Sequence, residues 1–358
     1  MVVVSLLFIF LVLSSAKIGR PVLARPCNAD GFSKDRTEAL RGLLAVCVLL
    51  SHMTSCVDYQ LPLVRFSIFA PVGVACFFFL SGFSLAKSAT GKVGYFRSFL
   101  RKRLSKILLP YLVFLALYFL ISVLILGDQV SKIYSSFRNG DPVSHSWYVT
   151  AIIFFYLAFY AVFRSVDPHN RKAVLIRIGF YSAVTFLYIM VTAVVLDLPD
   201  FWYKTCPMMI IGLGFGFFED AVFSFLKKRY FLLLLLMLLC SGVAYFIPSI
   251  WSLFLSAYSI NIWLLNDILM GFFISLLLLL LLFKINFLNK VTGFLGKISF
   301  EIYLFHGLVM EVLLKFGLSS GRFRQECFGV LSVLFTVILS YGFSKLSSVL
   351  NRFMIKTR

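Results

Sequence analysis

Apolar residues along this chain come in long unbroken runs separated by short polar or basic stretches, the pattern of helices apolar on every side rather than on one stripe. The runs fall near 39–57, 67–86, 107–127, 146–163, 174–196, 206–218, 231–252, 262–283, 298–314 and 327–344. Most approach the roughly 20 residues with which a helix crosses a bilayer. The sixth is short and needs a thinned bilayer or an extension into its flanks. The pattern predicts an all-α, polytopic transmembrane helical bundle of about ten spans occupying residues 38–350, with a basic tail at 351–358. Residues 1–37 precede it, and 1–16 of these form one more apolar run, short for a span and lacking the basic start of a secretory signal. An eleventh span, an interfacial segment and an extension from an upstream start codon all fit that run, because the Lys17, Arg20 and Arg25 cluster is compatible with each.

Composition narrows the class. The chain has 61% hydrophobic and 14% charged residues and a mean hydropathy of +0.96, which excludes a water-soluble fold. Its 358 residues leave no room for a sizeable soluble domain beside so many helices. A net charge of +19 raises the question of nucleic acid, and the answer lies in where the cations sit. With residues 17–37 placed in the cytoplasm, 27 Lys and Arg fall inside and seven outside, the latter being Arg65, Lys132, Arg138, Lys204, Lys315, Arg322 and Arg324. That alternation predicts a cytoplasmic C-terminus and outer loops near 58–66, 128–145 and 253–261. The basic excess is then a topology signal and a contact for anionic lipid, not a nucleic-acid site. Seven cysteines without CxxC spacing, mostly inside apolar runs, are read as small buried hydrophobes, and no metal site is expected.

Ionisable groups inside apolar runs are costly, so each needs an account. Arg41 and His52, in RGLLAVCVLLSH, are eleven positions apart and return to within roughly 20° of one helix face, separated by roughly 16 Å of rise. They describe a track through the bilayer with a cation at its cytoplasmic end and a proton acceptor past its middle. A snorkelling Arg and a His bonded to a neighbouring helix fit the spacing as well. His306 lies in KISFEIYLFHG with Tyr303 one turn before it, either as a second catalytic or orienting group or as a packing residue. Ser81 and Gly82, in FFFLSGF, suit close helix packing. The densest basic run, FRSFLRKRLSKILLPY, carries Arg97, Arg101, Lys102, Arg103 and Lys106 just before the third span. It is a topology determinant, a phosphate-binding patch, or both.

These segments together resemble acyltransferase family 3, membrane proteins that include bacterial enzymes O-acetylating lipopolysaccharide, capsule and other envelope glycans. The most specific match is TEALRGLLAVCVLLSH, with its arginine and histidine separated by ten residues; FFFLSGF, RKRLSKILLPY, SWYVTAIIFFY around Trp147 and KISFEIYLFHG follow in the family's order, over roughly residues 37–345. The family often shows RxxR before the third span, whereas here Arg103 is followed by Lys106, which keeps the charge but not the bidentate fork. The apolar N-terminal run precedes the usual family start. No soluble esterase-like C-terminal domain is expected, so transfer is expected to be completed by the membrane domain or by a separate partner.

The resemblance implies an acyl donor, acetyl-CoA, entering from the cytoplasm of a bacterium, with its phosphates met by Arg41, Arg101, Arg103 and Lys106. It implies an acceptor hydroxyl on an envelope glycan or lipid-linked sugar, and His52 as the base that takes its proton, with His306 in support. The track from Arg41 to His52 is comparable in length to an extended pantetheine arm. A glycolipid transporter or flippase would use the same intramembrane polar residues, but it has no need of the Arg41–His52 register or of the basic patch. A non-catalytic scaffold would have little need of a buried histidine in both the first and the ninth spans.

Overall fold

The computed structural model describes residues 8–9, 11–12, 32–57, 69–127, 143, 145–254, 262–318 and 321–356. Among these it is helical without a strand. Its helices are α1 (Lys34–Cys56), α2 (Phe69–Gly91), α3 (Phe99–Ile121), α4 (Trp147–Phe163), α5 (Arg171–Met190), α6 (Met208–Phe217), α7 (Glu219–Phe254), α8 (Ile262–Leu281), α9 (Lys290–Lys297), α10 (Ser299–Lys315) and α11 (Arg322–Lys356). A 3-10 turn at Tyr95–Ser98 enters α3, and π turns at Ser122–Leu126 and Val191–Val195 end α3 and α5.

A helix lies on each of the ten expected runs. Five stretches are long and apolar enough to cross a membrane by length and composition: α1, α2, Tyr95–Leu126, Arg171–Val195 and Phe323–Asn351. Helices α4 and α6 and the Ile268–Leu281 part of α8 are shorter apolar helices. Rows of exposed Leu, Phe and Val on α5 (Leu175, Phe180, Phe186), α7 (Phe231, Leu235, Leu239) and α11 (Leu334, Ile338, Leu346) suit contact with lipid chains.

The sixth run differs from a simple span. At ten residues, α6 is about 15 Å long, half the hydrocarbon thickness. A 3-10 turn at Asp200–Trp202 and further turns lead into it. Together they reach across the bundle: Trp202 lies by Trp147 at one end, with ring centroids 6.0 Å apart, and Glu219, just after α6, pairs with Lys87 at the other, 3.0 Å away. Non-helical backbone at this depth is tolerable only inside protein, and Trp202, Cys206 and Met209 are buried. Close packing buries α6 against α2. A Cβ on Gly82 would strike the Met209 carbonyl and come 2.9 Å from Leu213 N, while one on Gly216 would lie 2.7 Å from the Phe83 carbonyl.

Helix α1 is the axis of the bundle, buried almost continuously from Gly42 to Ser51 and packed on α2, α9 and α10. Helix α9, which the apolar pattern did not announce, starts at a capping box between Asn289 and Thr292. Glycines let it approach α1, since a Cβ on Gly42 would sit 2.6 Å from Gly296 N. In α7 the helix dihedrals break at Arg229, ahead of the expected run. The expected tail at 351–358 begins as the last turns of α11, which runs to Lys356. Of the N-terminal apolar segment, Phe8 and Leu11 pack on the core around Leu49 and Val309; apart from 8–9 and 11–12, residues 1–31 lie outside the described residues, as do the outer loop at 58–66, residues 255–261 of the loop expected at 253–261, and most of 128–145.

Candidate functional site

Two cavities lie along α1, one at each end of the bundle. The first, about 290 Å³, is lined by Arg41 from α1, Ser81 and Ser84 from α2, Arg103 and Lys106 from α3, and Tyr148, Tyr156, Lys297, Glu301 and Tyr303 from α4, α9 and α10. Arg41 donates from Nη2 to Ser84 Oγ at 3.1 Å. Arg103 donates from Nε to Tyr95 Oη and from Nη2 to Ser88 Oγ, each at 3.2 Å. Both guanidinium groups are thus anchored by neutral hydroxyls, and among the described residues neither forms an ion pair. A cavity bordered by two such cations and two lysines is suited to phosphate oxygens.

The second cavity, about 230 Å³, is lined by His52, His145, Trp147, Phe201, Lys204 and Thr205, with Ala70, Pro71 and Val74 of α2. Trp147 and Phe201 form an aromatic wall with ring centroids 5.6 Å apart. Lys204 is held by Asp200 at 2.9 Å. Thr205 Oγ1 is buried with no hydrogen-bond partner.

Between the cavities three imidazoles come together. The ring centroids of His52 and His145 are 3.8 Å apart, those of His52 and His306 5.2 Å, and those of His145 and His306 5.6 Å. His306 Nδ1 lies 2.6 Å from the Tyr303 carbonyl oxygen. A carbonyl only accepts, so the ring proton sits on Nδ1 and the lone pair is on Nε2. That Nε2 is buried with no partner. His145 occupies the left-handed region at φ 68°, a conformation histidine enters more readily than bulkier side chains. The Tyr303 hydroxyl donates to the His145 carbonyl and holds it there. Tyr111 pins the same turn by donating to Ser146 Oγ at 3.1 Å. Burial keeps the His145 imidazole below its ordinary pKa. Among the described residues no group of three or more His, Cys, Asp or Glu side chains is placed to hold a metal.

Tyr303 therefore lines the first cavity while bonding a residue that lines the second. Tyr148 does similar work, bordering the first cavity and standing edge-on to Tyr303 at 5.5 Å and to Trp147 at 6.2 Å. These two tyrosines form the partition.

Of the residues singled out from the sequence, Arg41, Ser81, Arg103, Lys106 and Tyr303 line the first cavity, His52 and Trp147 line the second, and His306 lies against His52. Arg97, Lys102 and two others are not brought in. Arg101 is exposed and lines neither cavity, because two residues along a helix turn through about 200° from Arg103. Gly82 is a packing contact with α6. His145, Thr205 and Lys297 are additions. His145 carries no signal in the apolar pattern because it stands in the polar approach to α4, where a histidine costs nothing; its place shortly before the aromatic start of that helix is the only clue.

No curated protein and no solved structure gives a match. The family of acyltransferase domains to which the opening-helix arginine and histidine pointed matches residues 36–345, most of the chain and all of the site just described. The protein is a membrane acyltransferase and belongs to acyltransferase family 3.

Proposed function

We propose that this protein moves an acetyl or other short acyl group from cytoplasmic acyl-CoA to a hydroxyl of a cell-envelope glycan or lipid-linked sugar. It does so in the cytoplasmic membrane of a bacterium, with its C-terminus inside. The observation that carries the reading is the cluster of three imidazoles between a cationic cavity and an aromatic one. Arg41, Arg103 and Lys106 bind the phosphates, and the thioester reaches past Tyr303 toward His52. The acceptor sugar lies against Trp147 and Phe201, whose rings suit the apolar face of a pyranose, with Thr205 bonding one of its hydroxyls.

His52 takes the proton of the attacking hydroxyl. The hydroxyl oxygen bonds to the thioester carbonyl carbon, the carbon–sulfur bond breaks, and the thiolate leaves and receives the proton that His52 holds. His306, with its tautomer fixed by the Tyr303 carbonyl, and His145 position the His52 ring. Holding both substrates in one confined path supplies proximity and limits loss of the acyl group to water. A flippase would need a path wide enough for a whole glycolipid, whereas Tyr148 and Tyr303 stand between the two cavities and leave the proposed route to a slender thioester arm. The test is structural analysis of surface glycans from cells with and without the protein. An ester present only with the protein is expected, and identical ester patterns would refute the reading.

A further inference from the structure

A third cavity, about 510 Å³, opens beside the cationic one and shares Lys106, Lys297 and Glu301 with it. Its remaining wall is mostly the last helix: Tyr341, Ser344, Lys345, Ser347, Ser348 and Asn351 of α11, facing Phe294 of α9. Three cationic segments far apart in the chain, ending α9, beginning α3 and ending α11, thus converge on one space with a single carboxylate, Glu301, among them. The cavity also has features that bare phosphate does not need. Phe294 and Tyr341 stand 5.6 Å apart as an aromatic wall, Lys345 Nζ lies 5.2 Å over the Tyr341 ring, and Asn351 Oδ1 is buried with no hydrogen-bond partner. A side-chain amide oxygen without a donor is a group waiting for an N–H.

Lysines for phosphates, aromatic rings for a base and an amide for a base edge are the parts of a nucleotide site. We infer that the groove formed by α11, α9 and the start of α3 is where the nucleotide end of the acyl donor binds, with its sugar phosphate on Lys297 and Lys345, its diphosphate running past Lys106 toward Arg41 and Arg103, and its base against Phe294, Tyr341 and Asn351. The inference rests on the donor reading above and adds α11 to it. It also gives the geometry a direction: the nucleotide lies in the outer groove, the pantetheine arm enters the first cavity past Arg41, and the thioester points at His52. The headgroup of an anionic lipid offers the same phosphate chemistry, but not a planar base.

The experiment uses the full chain reconstituted in phosphatidylcholine vesicles, with acetyl-CoA and acetyl-pantetheine as alternative donors. The second lacks the nucleotide and every phosphate. Lys297→Ala and Lys345→Ala should each raise KM for acetyl-CoA about threefold to fivefold while leaving KM for acetyl-pantetheine where it was, and Lys345→Arg should restore the acetyl-CoA value. An equal rise for both donors, or none for either, overturns the inference. So does a lysine effect that appears only when phosphatidylglycerol is added and strikes both donors alike, since the occupant would then be a lipid. Failure of the unsubstituted protein to use acetyl-CoA in the same assay would instead strike the donor reading itself.

Discussion

His52, the proposed base, lies on the wall of the aromatic cavity and in contact with both other imidazoles. His52→Gln keeps a polar side chain that can satisfy a structural hydrogen bond but cannot take a proton at neutral pH. It should reach the membrane in normal amount and transfer about 100-fold to 10,000-fold more slowly, the usual worth of general-base assistance. Near-normal turnover would move the base to His306, whose partnerless Nε2 makes it the next group able to accept. Arg103 tests the other end. Removing its guanidinium should raise KM for the acyl donor about tenfold, as expected for a charge-assisted hydrogen bond, with acceptor preference unchanged. Arg41, His52, Arg103 and His306 were legible from the sequence because an ionisable group in or beside an apolar run is conspicuous. His145 and Thr205 were not: each lies in a polar stretch between helices, where its residue type is ordinary, and only the fold brings His145 against His52. Arg101 and Arg103, neighbours in one basic run, stand on different faces of α3, because proximity in a helix is not proximity on a face.

At the scale of elements, the half-length helix α6 is the one that departs most from a plain bundle. Its turns supply Phe201, Lys204 and Thr205 to the aromatic cavity, and its helix fixes their depth by locking onto α2. The run at 206–218 was visibly short, but no hydropathy pattern tells a buried half-helix from a thinned crossing. The deciding fact is Gly82 meeting the backbone of Met209, which is a tertiary contact. Gly82→Val should therefore force α2 and α6 apart. The expected result is a loss of about 1–3 kcal/mol or more of stability from overpacking, read as a lowered unfolding temperature in detergent, together with a raised acceptor KM. Unchanged stability would mean that the helices are not in this contact. Helix α9 escaped sequence reading for a different reason: eight residues, mixed polar and apolar, give no long run, and the signal present was the Asn289–Thr292 capping box.

On the scale of the whole molecule, the bundle has two chemically different ends. The segments assigned inside by their Lys and Arg content meet at the first and third cavities, with Arg41, Lys106, Lys297 and Lys345, and Lys204, assigned outside, lines the second. The helices were legible because apolar runs and basic loops are imposed by the bilayer itself. The site between them was legible only as a stripe on α1, since its depth depends on α4, α6 and α10 folding around that stripe. In the proposed reaction, donor and acceptor reach the histidines from opposite ends. Inverted and right-side-out membrane vesicles holding the protein and its glycan, each given radiolabelled acetyl-CoA in the external medium, test it directly. Label should enter the glycan in inverted vesicles, where the cytoplasmic face is exposed, and not in right-side-out vesicles or in inverted vesicles carrying His52→Gln. Labelling in right-side-out vesicles, or equal labelling by His52→Gln, would contradict the account.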